Sequence, residues 1–348
     1  MLDIKKTKGT NGFSLVSTFS GAGGSCLGFE MAGFETLYAN EFIEEARNTY
    51  ALNHENVYID GRDIREVTGK FILDKFNLSL GDLDVLEGSP PCSSFSMAGK
   101  REEKWGVSST YSDTAHQVTD NLFFEFIRLL TELQPKVFIA ENVKGLIQGK
   151  AKGYFIEILK AFKIAGYQVE VRLINASWLG VPQSRQRVFF VGVRNDLVKK
   201  FGVAPVFPEP LKYRYAIKDA INMYDSSLID FETDESIELK SSVGDAWEQC
   251  KVGEKSSKYF SLYRSNPNFP VGTITASAGG SMASVTHPYY KRKFNLKEAR
   301  ALSGFPEDFE LTGTFSQRFE RLGRSVVPLV SFAIAQRIRD DILKITNA

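Results

Sequence analysis

Hydrophobic positions follow two different rhythms along this chain. From residue 13 to about 194, short apolar runs alternate with segments whose apolar residues recur every three or four positions, the pattern of strands alternating with helices. Phe13-Ser-Leu-Val-Ser-Thr-Phe19 reads as a first strand and Ser20-Gly-Ala-Gly-Gly24 as a glycine turn. Residues 25–32 then carry Cys26, Leu27, Phe29 and Met31 at helical spacing. Further strands are predicted over 34–39, 84–87, 137–140, 168–174 and 188–193, with helices over 120–133 and 154–165. The polar, Ser- and Gly-rich stretch 93–118 is long for a loop inside a domain and reads as a lid.

Beyond Asn195 the rhythm fades. Pro205, Pro208, Pro210, Pro267 and Pro270 accumulate up to about Pro288, which predicts a second, irregular domain. Lys297–Leu302 reads as a short helix stopped by Gly304-Phe-Pro306, and 326–343 as an amphipathic core helix. The expected architecture is α/β: a Rossmann-like sheet with helices on both faces in 1–194, a smaller irregular domain in 195–290, and a return to the first domain in 291–348.

Composition narrows the function classes. At 348 residues and 43% hydrophobic content, the chain can bury a large core. Residues 1–8 are polar and basic, unlike a signal peptide, and no apolar run is long enough to span a membrane, so a cytoplasmic setting is expected. Three scattered cysteines and three isolated histidines suggest neither a disulfide framework nor a metal site. Net charge is only +1, but its distribution is uneven. Residues 219–248 are acidic, whereas 251–293 carry Lys251, Lys255, Lys258, Arg264, Lys291, Arg292 and Lys293 with Glu254 as the one acid. Tyr259, Phe260, Tyr263 and Tyr289 interleave that basic stretch, a composition suited to lining a polyanion.

Candidate chemistry gathers at strand ends. A strand, glycine turn and helix in succession open a nucleotide-binding unit, because glycines let a ligand approach the backbone at a helix N-terminus. Glu41 follows Gly21 by 20 residues, where such folds place a carboxylate on ribose hydroxyls. Asp63, expected at the end of a third strand, is placed to accept from an adenine amino group. No phosphate-binding Lys follows the glycines, so the ligand should be a nucleoside without a polyphosphate. After the fourth strand, Pro90 and Pro91 stiffen a turn that presents the Cys92 thiol at the carboxyl edge of the sheet. Arg185 and Arg187, two apart at the start of a strand, are expected to point the same way as a paired guanidinium site.

Taken in order, these stretches resemble the DNA cytosine-5 methyltransferases that use S-adenosylmethionine. Phe19-Ser-Gly-Ala-Gly-Gly24 is similar to the family's first motif, Glu41 to its ribose acid, Asp63-Ile64 to its adenine contact and Ser89-Pro-Pro-Cys92 to its nucleophile motif. Asp120-Asn-Leu-Phe123, Glu141-Asn-Val143, Gln183-Ser-Arg-Gln-Arg187, Thr273-Ile-Thr275 with 295–306, and Gly323-Arg-Ser-Val326 follow collinearly. Three positions depart from the family pattern: Ser20 for Ala, Ser93 for Gln and Arg324 for Asn.

The resemblance implies roles. Cys92 would be the nucleophile at cytosine carbon 6, with Glu141 at ring N3, Arg187 at the base carbonyl and Arg185 ordering the pocket. Phe19, Ser20, Gly21, Ala22, Gly23, Gly24, Glu41, Phe42, Asp63, Ile64, Ser89, Pro91, Leu122, Arg324, Ser325 and Val326 would serve S-adenosylmethionine. Ser93, Ser96, Gln183, Thr273 and Thr275 would meet DNA or the extruded base. The implied partner is duplex DNA, read by a monomer with 195–290 across the groove; a separate restriction endonuclease would accompany a modification enzyme. A tRNA substrate, and transfer of a carboxylated methyl group because of Arg324, are the alternatives.

Overall fold

In a computed structural model the described residues are 11–91, 109–111, 115–117, 121–279 and 285–347. They divide into two compact units, one comprising 11–174, 186–208 and 331–347, the other 175–185 and 209–330. Residues 291–330, assigned by sequence to the catalytic domain, fold in the second unit together with 209–290.

The first unit is built on seven strands: β1 (Ser14–Thr18), β2 (Glu35–Asn40), β3 (Tyr58–Asp60), β4 (Val85–Gly88), β5 (Val137–Val143), β6 (Tyr167–Asn175) and β7 (Gln186–Arg194). Their order in the sheet is β3-β2-β1-β4-β5-β7-β6. β1 pairs parallel with β2 and β4, and β4 with β5, whereas β7 runs antiparallel to β5. The chain leaves β1 toward β3, then returns to β4 and proceeds the other way. That reversal puts the topological switch between β1 and β4, where open α/β sheets bind ligands at strand carboxyl ends.

Helices α1 (Gly24–Met31), α2 (Glu44–Asn53), α3 (Gly69–Phe76), α4 (Leu122–Leu133), α5 (Lys152–Ile164) and α6 (Asn195–Phe201) connect and cover these strands. Alternation along β4 assigns the two faces. Leu86 joins Phe123, Phe126, Phe138, Phe162 and Phe190 in the main core with α4 and α5. Its neighbour Glu87 turns to the other face, where it meets Ser17 and Cys26 of α1. Gly88 is a packing glycine, since a Cβ there would meet Thr18 Oγ1 at 2.5 Å and the Phe126 ring at 2.8 Å.

The second unit has little sheet and is held by short helices: α7 (Ile217–Ala220), α8 (Ser241–Glu248), α9 (Leu296–Leu302) and α10 (Phe315–Arg324). Asn295 and Glu298 close a capping box on α9, and Thr314 and Gln317 close another on α10. Arg292 is fully buried and makes a bidentate pair with Glu298 (2.7 and 2.8 Å) while also donating to the Asp225 carbonyl at 2.9 Å. The predicted tail helix is interrupted: α11 (Pro328–Ile338) passes into a π turn at Arg339–Leu343. Within the first unit, Ser331 Oγ of that helix donates to Ser25 Oγ of α1 (3.2 Å).

Candidate active site

The glycine turn leaves β1 under strain. Phe19 has φ +52°, a conformation bulky side chains rarely adopt, and Gly21 and Gly23 follow at +56° and +87°. Hydrogen bonds fix this shape: Ser20 N donates to the Asn40 carbonyl (3.0 Å) and Gly23 N to the Ser20 carbonyl (3.0 Å). Glu41, at the end of β2, accepts from Gly21 N at 2.8 Å with one oxygen and from Ile43 N at 2.7 Å with the other. Arg47 holds the Phe42 carbonyl at 2.7 Å. Gly21 faces open space, whereas a Cβ on Gly23 would fall inside contact of His54 Nε2. His54 is itself fixed by the Glu30 carboxylate on Nδ1 (2.9 Å) and by stacking on Tyr50.

Asp63 differs from expectation. β3 ends at Asp60, and Asp63 instead caps the 3-10 turn 64–66, accepting from Arg65 N at 3.0 Å and pairing with the Arg65 guanidinium at 2.9 Å. Ile64 beside it is buried. The donor set suits a nucleoside carrying a sulfonium. It offers an open glycine backbone, a carboxylate at the β2 edge, a second beyond β3, and no cation in the turn to hold phosphates.

Under the turn lies a buried polar floor. Glu87 is hydrogen-bonded by Ser17, whose hydroxyl also meets Ser20 Oγ at 2.6 Å, and Cys26 Sγ approaches Glu87 at 3.6 Å. Burial raises the Glu87 carboxyl to about 7, offset by the hydrogen bonds from Ser17, Ser25 and Cys26 and reinforced by Glu141. Burial also pushes up the Cys26 thiol, which marks it as inert.

The nucleophile turn follows β4. Ser89 N donates to the Thr18 carbonyl at 3.4 Å, and Asn142 Nδ2 grips the Pro90 carbonyl at 3.0 Å. Pro91 is the last described residue before Cys92, which lies with Ser93, Ser96 and Asp120 outside the described residues, as does most of the expected lid. Leu122 opens α4 and is buried in the main core.

Glu141 and Arg187 meet directly in the first unit, with Arg187 Nε 3.0 Å from Glu141 Oε1 and both side chains partly exposed. Glu141 sits inside β5 rather than beyond it, opposite Phe189 of β7, because β5 runs three residues past Ala140. Arg187 lies two positions on, opposite Val143.

Arg185 does not join this pair. It precedes β7, so the two-residue alternation does not reach it. Its guanidinium is buried in the second unit on the carbonyls of Ile274 (3.3 Å), Gly323 (2.9 Å) and Ser325 (3.0 Å). Gln183 is likewise inward, 1% exposed, donating to Ser303 Oγ at 3.1 Å and accepting from Ile274 N at 3.3 Å. Here it acts as scaffold rather than as a presented base contact. Thr273 Oγ1 donates to the Ser184 carbonyl (2.8 Å), and Thr275 Oγ1 meets Ser277 Oγ (3.2 Å). A Cβ on Gly323 would collide with the backbone of Thr275 and Ala276, which explains a glycine there. Arg324 pairs with Glu320 at 2.6 Å along α10, so its charge already has a counter-ion. Ser325 Oγ donates to the Arg321 carbonyl (2.6 Å), and Val326 is buried.

Two contributors escape sequence reasoning, His54 and Glu87, whereas Asn142 enters only as a member of the Glu141-Asn-Val143 motif. His54 and Glu87 carry no local signal, because their partners are 24 and 70 residues away.

The sequence model of the C-5 cytosine-specific DNA methylase family matches residues 13–340. The type II methyltransferase M.FnuDI of Fusobacterium nucleatum is 32% identical over 94% of each chain. M.Bsp6I of a Bacillus species is 33% identical, covering 94% of this chain and 99% of its own. Among solved structures, a prophage-encoded protein of E. coli described as a DNA modification methyltransferase superposes with a TM-score of 0.74 at 25% identity, covering 94% of this chain and 99% of that one. Neither the tRNA alternative nor the carboxylated methyl group is favoured by this company or by the paired Arg324. A mixed seven-stranded sheet, a glycine turn over paired acids and the Glu141–Arg187 couple thus belong to one protein family: this chain is a member of the C-5 cytosine-specific DNA methylases.

Proposed function

We propose that the enzyme modifies a flipped-out cytosine within a specific duplex DNA sequence, with Cys92 as nucleophile and S-adenosylmethionine as donor. The observation that carries this reading is the Glu141–Arg187 pair on strands β5 and β7, with Asn142 beside it gripping the turn that leads into Cys92. Bound S-adenosylmethionine supplies an electrophilic methyl group. Carbon 5 of cytosine needs activation to accept it. The Cys92 thiolate adds to carbon 6, Glu141 supports the charge developing through ring N3, and Arg187 binds the carbonyl oxygen. Once carbon 5 carries the new methyl group, its proton passes to a base or water, Cys92 leaves as thiolate and the ring is restored. The target atom is stacked inside a duplex, so the nucleotide must be extruded first.

Glu41 and the open backbone at Gly21 would hold the cofactor's ribose side, with Asp63 toward the adenine. Arg185 is a positioning residue whose carbonyl contacts order residues 274 and 323–325. Residues 209–290, without 195–208, which fold with the sheet unit, form the core of the target-reading region. Among the described residues no helix is long and apolar enough to cross a membrane. We place the enzyme in the cytoplasm, acting as a monomer on DNA, with any cognate endonuclease a separate protein.

Cys92→Ser tests the assignment. The variant should bind S-adenosylmethionine normally, lose turnover, and form no covalent complex on 5-fluorocytosine duplex DNA. A complex trapped by that variant would overturn the role of Cys92.

A further inference from the structure

The basic, aromatic stretch noted in the sequence forms a defined projection in the second unit. Residues 253–264 fold back on themselves: Gly253 N donates to the Arg264 carbonyl (2.8 Å), Arg264 N to the Glu254 carbonyl (3.0 Å) and Ser256 N to the Leu262 carbonyl (2.9 Å). Ser256 Oγ accepts from Lys258 N and Tyr259 N, tightening the tip. The base is anchored on three sides. Leu262 packs with Leu239, Ala246 and Trp247, and Tyr259 OH meets Ser242 Oγ of α8 at 2.7 Å. Arg264 lies 3.9 Å over the Trp247 ring while donating to the Cys250 and Pro288 carbonyls.

On this braced tip Phe260 stands 92% exposed. Its ring neighbour is a cation, Lys255 Nζ at 5.4 Å, and Lys258 Nζ lies 5.4 Å over Tyr259. Among the described residues no carboxylate pairs with Lys251, Lys255 or Lys258. Two other aromatics of the unit are comparably exposed, Tyr224 and Phe231. Among the described residues neither of these two rings lies under a cation, unlike Phe260. The 253–264 projection alone among these combines a rigid base, an exposed ring and unpaired cations. A folded chain gains nothing by holding a phenylalanine in water on a fixed tip. A nucleic acid would supply both missing partners, a flat apolar face for the ring and phosphates for the lysines.

We propose that 253–264 is a DNA-engaging finger, in which Phe260 packs against or between bases in a groove and Lys255 and Lys258 hold flanking phosphates. This rests on duplex DNA as the substrate. It adds the residues that grip it and a mode of contact that includes an apolar insertion.

The finger is tested on the full chain with a fluorescein-labelled 30-base-pair mixed-sequence duplex, with 2-aminopurine duplexes and with bulk unmethylated genomic DNA. Lys255→Gln with Lys258→Gln should shallow the plot of log affinity against log salt by about 1.8, at roughly 0.9 per lost phosphate contact. Phe260→Ala should leave that slope unchanged, weaken binding by about 5- to 150-fold at fixed salt, and abolish the 2-aminopurine signal of unstacking. Thermal melting should stay unchanged in every variant, since all three side chains are exposed. An unaltered slope in the lysine variant, or unaltered affinity in Phe260→Ala, overturns the finger. So does Phe260→Ala dissolving a wild-type dimer in sedimentation while DNA affinity holds, which assigns the tip to self-association. Wild-type protein that neither binds nor methylates any duplex would sink the substrate reading instead.

Discussion

The two units of this enzyme are stabilised by opposite means. In the sheet unit, apolar packing does most of the work, with Phe123, Phe126, Phe138, Phe162 and Phe190 in mutual ring contact around β4, β5 and β7. In the second unit, polar devices hold irregular chain together: the buried Arg292–Glu298 pair, two capping boxes, and Arg185 on three carbonyls. A packed core that loses a side chain keeps a cavity. A buried charge tolerates the loss of its partner poorly. Under the proposed function, chemistry sits on the part set by shape, and target reading on the part set by specific bonds.

The sharpest way to break this contrast is to remove one member of each device. Phe138→Ala and Glu298→Ala should each cost about 3–5 kcal/mol by denaturant unfolding, for different reasons, a cavity in one and an orphaned guanidinium in the other. The pair can be rescued where the cavity cannot: Arg292→Met combined with Glu298→Leu should recover most of the loss. Failure of that rescue would show that Glu298 matters as the α9 cap rather than as a counter-ion.

Next in size is the turn proposed to hold the cofactor. Gly23→Ala forces a side chain into φ +87° and into His54, about 1–3 kcal/mol of strain. S-adenosylmethionine affinity by calorimetry should fall tenfold or more, and adding His54→Ala should restore part of it. Equal loss in single and double variants would place the whole effect in the backbone.

Smallest, and opposite in sign between the units, is the response to pH. Glu87 in the sheet unit has its carboxyl raised to about 7 by burial, so the folded state holds the proton more tightly than the unfolded chain. Its contribution is present at low pH and is lost as pH rises from about 4.5 through 7. His287 in the second unit is buried, lowered to about 3 by desolvation and then by Arg292. Its contribution is present above about 6.5 and is lost as pH falls toward 3. Hydrogen exchange resolved by unit should therefore slope in opposite directions between pH 5 and 6.5, by at most about 1.4 kcal/mol per pH unit for each group. Glu87→Gln should flatten the sheet-unit slope alone. A slope that persists would assign it to other acids, with Glu141 the first to examine.

Legibility followed the same divide. β1, β2, β4 and α4 lie within a residue or two of their apolar runs, because both faces of a central strand are buried and the sequence records that directly. The sequence pattern puts Glu141 at a strand end although β5 continues through it, since polar residues inside a strand look like its termination. The hydrophobic pattern does not predict helix α10 despite Thr314 and Gln317 at capping-box spacing and Phe315, Phe319 and Leu322 on one face. Its context of turns and charges masked a ten-residue signal. Arg185 and Arg187 look equivalent in sequence, yet one is scaffold and the other faces Glu141. Only the point where β7 begins separates them.

The bond from Asn142 to the Pro90 carbonyl works like a jig in a workshop. It clamps the chain at Pro90 to the strand that bears Glu141, so the turn leading to the proposed attacker is tied to the proposed acid support at folding, before any DNA arrives. Under the proposed mechanism the base is then machined to fit the tool: pulled from its stack, turned, and offered at a fixed gauge. Asn142→Ala would free the Pro90 carbonyl from β5 while leaving each proposed reacting side chain chemically unchanged.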